Sequence, residues 1–269
     1  KVYCKHLSVT ASREVIKGGK RPLKLQYLGW ASFLMTGADG TTVLTDPYLV
    51  GNERTQVPPS PFKAEDLVVD LIAVSHCAGD HFGQAIEVMA NSSKTKMLGD
   101  HSTLCLAERL GGYGGVWDPR MELTTSGATY VQGDFTIHAV DARHIAFKHF
   151  PDGSYLTGEP LCYIIEVKDG PTIFFGGDTS VTYDMKLWGE MFQPDVAIIG
   201  IGGVDLDGRS LDEMDPRAAS MCAQMLGVKK VIPMHYRGQA YLEEFKTQLA
   251  KRCPGCQCAA MTAGETITL

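Results

Sequence analysis

Leu71-Ile72-Ala73-Val74-Ser75-His76-Cys77-Ala78-Gly79-Asp80-His81-Phe82-Gly83-Gln84-Ala85-Ile86-Glu87 is the stretch on which the reading of this chain turns. Leu71 to Val74 is a short apolar run with the length and bounding of a buried strand. The run stops abruptly at Ser75, and from Phe82 to Ala90 the apolar spacing predicts a helix. Between the two, a pair of histidines and an aspartate fall within six residues, on the turn leaving a buried strand. That is a place to build a metal site. The bland alternative is a polar loop with two unrelated histidines, and the rest of the chain has to decide.

Size and composition bound the answer loosely. The 269 residues suffice for one large α/β domain or two small ones, with a substantial core. A content of 44% hydrophobic and 21% charged residues is ordinary for a soluble globular chain. With 25 basic and 31 acidic residues the net charge is −6, and no basic run exceeds short pairs. This disfavours nucleic acid as a bulk electrostatic partner and supplies no polybasic membrane patch. No apolar stretch approaches the roughly 20 residues that span a bilayer. No cleavable signal pattern opens the chain, so the cytoplasm is expected, although a start at Lys1 is compatible with a removed leader.

The eight cysteines (4, 77, 105, 162, 222, 253, 256 and 258) are scattered, unlike the dense frame of a small secreted domain. Cys105, Cys162 and Cys222 sit in apolar surroundings and read as small core residues. Cys253, Cys256 and Cys258 form the one cluster. A structural zinc there would need a second pair of ligands that the sequence lacks, so free thiols are favoured, ahead of a local disulfide.

Taken in order, residues 1–22 read as a basic extension packed over the body. Leu23–Leu28, Ser32–Thr36 and Thr42–Thr45 are strand-like, the last two joined by a hairpin at Gly37-Ala38-Asp39-Gly40 and ended by Pro47. Val50–Pro61 is a long loop of the kind that borders sites. Lys96–Leu98 is a brief strand, and Asp100 caps a helix running to Leu110. The glycine-rich turn at 111–115 lacks the Lys and Ser/Thr of a phosphate loop. Further strands are expected at Thr129–Val131, Phe135–Asp141, Leu161–Val167, Thr172–Phe175, Asp195–Ile199 and Val231–Met234, with a final one near Ala259–Thr262. Helices are expected over Tyr183–Phe192, from Asp215-Pro216, and over Tyr241–Lys251. Hairpins in both halves, each followed by βα units and with no linker between, predict two packed sheets with helices outside.

One constellation now stands out. His76, Asp80, His81, His144, Asp178 and His235 all lie where a strand ends. Six separate accidents of that kind are improbable, and strand ends converge on one rim of a sheet. Imidazole and carboxylate ligands without thiolate suit zinc, manganese or iron. Asp46, also at a strand end, is a natural acceptor behind a ligating histidine's ring. His6, His138 and His149 lack this placement and read as structural.

At these residues the sequence resembles the metallo-β-lactamase superfamily, and more narrowly its small hydrolases of the ascorbate-phosphate-lactonase type. The markers are Leu28-Gly29 with Ser32-Phe33-Leu34, Thr45-Asp46-Pro47, the 76–81 motif and His144. Gly177-Asp178-Thr179, Ile201-Gly202-Gly203 and Val231-Ile232-Pro233-Met234-His235-Tyr236 complete them. The resemblance implies an αββα sandwich of the α/β (α+β) class as a single domain over residues 23–269, with its site between the sheets. It implies a first metal held by His76, His144 and Asp178, and a second by Asp80, His81, Asp178 and His235. Zn²⁺ or Mn²⁺, one or two per chain, is the implied cofactor, and a homo-oligomer is among the states it allows. Two departures matter. Ala78 stands where the family has its second loop histidine, and a methyl group binds no metal. Trp30 replaces a polar residue of the opening turn and reshapes the pocket mouth.

Three readings of Ala78 compete: an introduced inactivating substitution, a natural variant working with one metal, or a degenerate, non-catalytic small-molecule binder. In the second, water, Cys77 or His101 would compensate. The implied chemistry is metal-assisted hydrolysis of a small lactone, ester or amide, with Asp80 orienting the nucleophile and carrying a proton. A single-metal phosphodiesterase is the alternative enzyme. His101, Arg143, Lys148, Tyr236 and Arg237 are the candidate substrate contacts, a carboxylate or phosphate being the group that Arg or Lys would hold.

Overall fold

The computed structural model describes residues 21–206, 209–211 and 213–269. The expected extension over residues 1–22 therefore lies, but for its last two residues, outside the described residues. In the first half, strands β1 (Lys24–Gly29), β2 (Ser32–Thr36), β3 (Thr42–Thr45), β4 (Leu71–Ala73), β5 (Lys96–Gly99) and β6 (Met121–Leu123) lie side by side in chain order. Helices α1 (Gly79–Phe82), α2 (Ala85–Ala90) and α3 (His101–Gly111) punctuate them. The second half builds β7 (Thr129–Gln132), β8 (Phe135–Asp141), the hairpin β9 (Ala146–His149) and β10 (Tyr155–Gly158), β11 (Leu161–Val167), β12 (Thr172–Phe175) and β13 (Val196–Gly200). It continues through the hairpin β14 (Val204–Leu206) and β15 (Arg209–Leu211), then β16 (Lys230–Met234), β17 (Gln257–Cys258) and β18 (Thr266–Thr268). Its helices are α4 (Asp184–Phe192), α5 (Pro216–Leu226) and α6 (Gln239–Arg252). Two sheets of seven strands result, ordered β18-β1-β2-β3-β4-β5-β6 and β17-β16-β13-β12-β11-β8-β7.

Strand alternation explains the layering. In β4 and the residue after it, Leu71 and Ala73 face the interior between the sheets while Ile72 and Val74 face the helices. In β11, Leu161, Tyr163, Ile165 and Val167 face inward, while Cys162 and Ile164 meet the opposite helical layer. The inner core joins Phe33, Met35 and Leu71 to Phe135, Tyr163, Phe175 and Ile232 across the two sheets. Val88, Leu104 and Leu106 cover one outer face, and Met185, Trp188, Leu242 and Phe245 the other. This is the four-layer αββα sandwich that the resemblance implied. Among the described residues no helix is long and apolar enough to cross a membrane.

Chain direction positions the site. In the first sheet β1, β3 and β4 run the same way, and in the second so do β8, β12, β13 and β16. The residues just past their carboxyl ends meet at one edge of the sandwich. Tyr163 ties the two sheets together there: its fully buried hydroxyl donates to the Val74 carbonyl at 2.7 Å, beside the 75–81 loop. Tyr163→Phe is expected to lower stability by about 1–2 kcal/mol in denaturant unfolding, the cost of a lost buried hydrogen bond. An unchanged midpoint would show that the hydroxyl contributes nothing.

Several expectations are corrected. The helix expected over Phe82–Ala90 is two short pieces, α1 and α2, because Gly83 adopts a left-handed φ of 46°. Gln84 N–H then donates to the Pro47 carbonyl at 2.8 Å, and a Cβ on Gly83 would strike the same carbonyl. The strand expected near Ala259–Thr262 is replaced by β17 and β18 on either side of it, each completing a different sheet. Cys105 is half-buried rather than in the core, and Cys253, Cys256 and Cys258 are free thiols as expected.

Candidate metal centre

Asp178 sits at the centre of the rim. Its Oδ2 lies 3.0 Å from His81 Nε2, 3.2 Å from His235 Nε2 and 3.8 Å from His144 Nε2. His235 Nε2 is also 3.5 Å from Asp80 Oδ2. The His76 ring stands 4.3 Å from that of His81 and 4.9 Å from that of His144. Two donor sets face each other, His76 with His144 and Asp178, and Asp80 with His81 and His235, and a third group, Asp178 with Glu213 and His235, links them. Metal–ligand bonds of about 2.1 Å would place neighbouring donor atoms about 3.0–3.4 Å apart, close to the spacing around Asp178. Nε2 of His76, His81 and His235 is buried without a hydrogen-bond partner among the described residues. His81 and His235 Nε2 meet only the Asp178 and Asp80 carboxylates, and His76 Nε2 meets neither of them. Buried nitrogens so left are costly, and their gathering around one carboxylate fits a divalent cation.

The opposite ring nitrogens are fixed from behind. His81 Nδ1 is 2.7 Å from Asp46 Oδ2, and Asp46 accepts from the Ser75 amide and hydroxyl, each at 2.7 Å. His76 Nδ1 is 3.0 Å from the Ser75 hydroxyl. His235 Nδ1 is 3.3 Å from Glu213 Oε2, and both side chains are buried. Trp30 closes the mouth: its ring lies 4.0 Å from that of His235, and its Nε1–H donates to Asp80 Oδ2 at 3.2 Å. Trp30, Asp46 and His235 all have positive φ (53°, 34° and 51°), a left-handed backbone that non-glycine residues rarely adopt. Such strain gathers where the surroundings over-determine a geometry. Gly177, also left-handed, lets the Asp178 turn approach; a Cβ there would stand 2.7 Å from Ser75 Cβ.

Electrostatics divides the histidines. Burial, with the neighbouring His81 and His144, holds His76 well below its ordinary pKa. Burial opposes charge on His81 and His235 too, but at His81 Asp178 and Asp46 outweigh it and the pKa stands well above normal. At His235, Asp178, Asp80 and Glu213 outweigh it and push the pKa up to about 10. Burial opposes the Asp178 carboxylate, yet His235 and His81 hold it below the usual range. The metal-free rim balances its carboxylates with protons on imidazole, the role a divalent cation takes over.

The structure brings together His76, Asp80, His81, His144, Asp178 and His235, with Asp46 behind them. Neither compensator considered for Ala78 reaches the gap. Cys77 is fully buried in the helix-side core. His101 is exposed on α3, with Nδ1 3.4 Å from Cys105 Sγ, and lines a separate groove with Asp100 and Thr124. The first helical turn carries the His101 side chain outward. Lys148 is better placed: its Nζ lies 3.2 Å from where a Cβ on Gly79 would stand, next to Ala78, with no ion pair among the described residues. Arg237 lies over the Trp30 ring at 5.3 Å. Arg143 is exposed and contributes backbone, its N–H donating to Thr179 Oγ1 and its carbonyl accepting from Ser180. Tyr236 packs half-buried against the second helical layer. Glu213 escaped sequence reasoning; only its proximity to a strand-end histidine in space reveals it.

A model of the β-lactamase superfamily domain matches residues 24–235. The chain belongs to this superfamily. Within it, a UPF0173 metal-dependent hydrolase of Nitratidesulfovibrio vulgaris is 33% identical over 252 residues, 91% of this chain and 95% of that protein. A second, from Thermococcus kodakarensis, is 35% identical over 216 residues, covering 80% of this chain and 84% of its own. Among solved structures, a metallo hydrolase from Ignicoccus hospitalis superposes with a TM-score of 0.71 at 25% identity, covering 92% of this chain and 98% of that one. A metallo-β-lactamase fold protein of Bacillus subtilis, at 16% identity and TM-score 0.66, covers 93% and 100% and shares the fold. The matched residues run from β1 to His235 and so include the rim at which Asp178 sits, with α6, β17 and β18 beyond them.

Proposed function

We propose that this chain is a metal-dependent hydrolase acting on a small lactone, ester or amide that carries an acidic group. The observation that carries the reading is the approach of three imidazole nitrogens, Nε2 of His81, His235 and His144, to one oxygen of the buried Asp178 carboxylate at 3.0, 3.2 and 3.8 Å. A bound Zn²⁺ or Mn²⁺ would supply Lewis acidity and bring the pKa of water from 15.7 toward about 7. Asp80, His81, Asp178 and His235 would hold it. Family relatives named as metal-dependent hydrolases support the class. With Ala78 in the loop, the His76–His144–Asp178 set lacks a donor, so one tightly held ion is the working state.

The protein's own groups suggest how the substrate is handled. The Asp80 side chain is 41% exposed, against 4% and 5% for Asp178 and His235, so it faces the opening. Trp30 fixes one carboxylate oxygen of Asp80 through its indole N–H. From that position Asp80 would orient the nucleophile and pass a proton to the leaving group. Lys148 beside Gly79 and Arg237 over Trp30 put two cations on the lips of the site. In a chain of net charge −6, they favour an anionic group on the substrate. Lys148→Met is expected to raise KM about tenfold for carboxylate-bearing substrates with little change in kcat. Equal KM values for both proteins would remove Lys148 from substrate binding.

The reading is tested by a panel of lactones, esters, amides and phosphodiesters assayed with Zn²⁺ or Mn²⁺. Turnover of a lactone, ester or amide is expected. Turnover of phosphodiesters alone would favour the single-metal phosphodiesterase. Silence with persistent ligand-dependent thermal shifts would favour a small-molecule binder.

A further inference from the structure

Three histidine rings of the rim are backed by groups of different charge. His76 is backed by the neutral Ser75 hydroxyl, His81 by the Asp46 carboxylate and His235 by the Glu213 carboxylate. The Glu213 side chain is 8% exposed and the His235 side chain 5%. Among the described residues no lysine or arginine pairs with Glu213. A carboxylate so enclosed is costly unless it meets a charge or a donor. Its neighbours pin it there. Met214 is buried in the second helical layer and its carbonyl accepts from Gly203 N–H at 3.0 Å. Asp215 caps α5 by accepting from the Ala218 amide at 2.7 Å. Glu213 is thus held between a buried anchor and its own contact to His235, and that contact is to Nδ1, the nitrogen facing away from Asp178.

We propose that Glu213 is a positioning residue of the metal centre: it accepts the Nδ1 proton of His235 and fixes the ring with Nε2 toward Asp178. Its negative charge also strengthens that nitrogen as a donor. With Asp46 doing the same for His81, these two carboxylate-backed histidines fall in the Asp80–His81–Asp178–His235 set. The His76–His144–Asp178 set has a hydroxyl-backed ring and the gap at Ala78. Glu213 therefore helps decide which of the two sets binds tightly. The inference rests on the metal-centre reading above and adds the residue that makes its two halves unequal.

The test is Zn²⁺ affinity, measured by competition with a chromophoric chelator, for the wild-type chain, Glu213→Gln and Glu213→Asp. Loss of an outer partner of this kind weakens metal binding about 10–100-fold, and that loss is expected for Glu213→Gln. Glu213→Asp, which keeps the charge, is expected to recover most of it. The metal-free melting temperature of Glu213→Gln should fall, since a buried pair with His235 loses its carboxylate, and Glu213→Asp separates that loss from the effect on metal binding. The visible spectrum of the Co²⁺-loaded protein should shift with the change at His235, which a purely structural role would not produce. Equal Zn²⁺ affinity and an unchanged Co²⁺ spectrum in Glu213→Gln would overturn this inference alone. A wild-type chain taking up no Zn²⁺ would overturn it together with the metal-centre reading.

Discussion

Asp178→Asn is expected to abolish tight metal uptake and to destabilise the metal-free protein by about 3 kcal/mol. The first effect follows from geometry, since one Asp178 oxygen approaches His81, His235 and His144, and no other carboxylate touches both donor sets. The second follows from charge. In the metal-free rim Asp178 is a principal anion holding protons on His81 and His235, and its own side chain is 4% exposed. Breaking a buried pair by removing one partner costs about 3–5 kcal/mol, and the lower end applies because Asp46 and Glu213 still face the two rings. Chelator competition and denaturant unfolding measure the two effects separately. Asp178→Asn protein that binds Zn²⁺ as wild type does would show that the carboxylate is not a ligand.

Ala78→His should raise the metal content from one tightly held ion per chain toward two and increase hydrolysis at least ~10-fold, the low end of what even an outer partner of a metal ligand contributes. The backbone accepts the change: Ala78 has φ −65° and ψ 151°, open to any side chain, and is half-buried rather than enclosed. Its carbonyl accepts from the His81 and Phe82 amides, contacts that a new side chain leaves intact. The Lys148 amine, the end of a flexible chain, lies over the adjacent Gly79 and is free to move aside. Elemental analysis after gel filtration, paired with the substrate panel, reads both outcomes. No change in metal content or rate would remove Ala78 from the account of activity.

The residues that chemistry constrains most were the most legible. His76, His81, His144, Asp178 and His235 share a sequence signature, a polar residue at the end of a buried apolar run. The sheet topology turns that signature into proximity, because the strands they follow end at one edge. Asp46 was legible for the same reason. His101, named as a compensator for Ala78, lies away from the gap, because sequence spacing does not say which way the first turn of a helix points its side chain. Glu213 carries no signature: it lies between a hairpin and a helix, and its importance exists only through the orientation of the His235 ring. Trp30 reads as a departure from the family pattern, but its ring contact with His235 and its bond to Asp80 depend on a left-handed backbone that no periodicity announces. The break at Gly83 was missed because helical spacing on its two sides is compatible with one continuous helix, and only the approach of Pro47 forbids it.

The most direct test of the central claim is a Zn²⁺ titration of the unaltered chain against a competing chelator, repeated with His235→Ala and His144→Ala. One tightly held ion per chain is predicted, lost in His235→Ala and retained in His144→Ala. Two equally tight ions per chain, or a single ion that depends on His144 and not on His235, would contradict it.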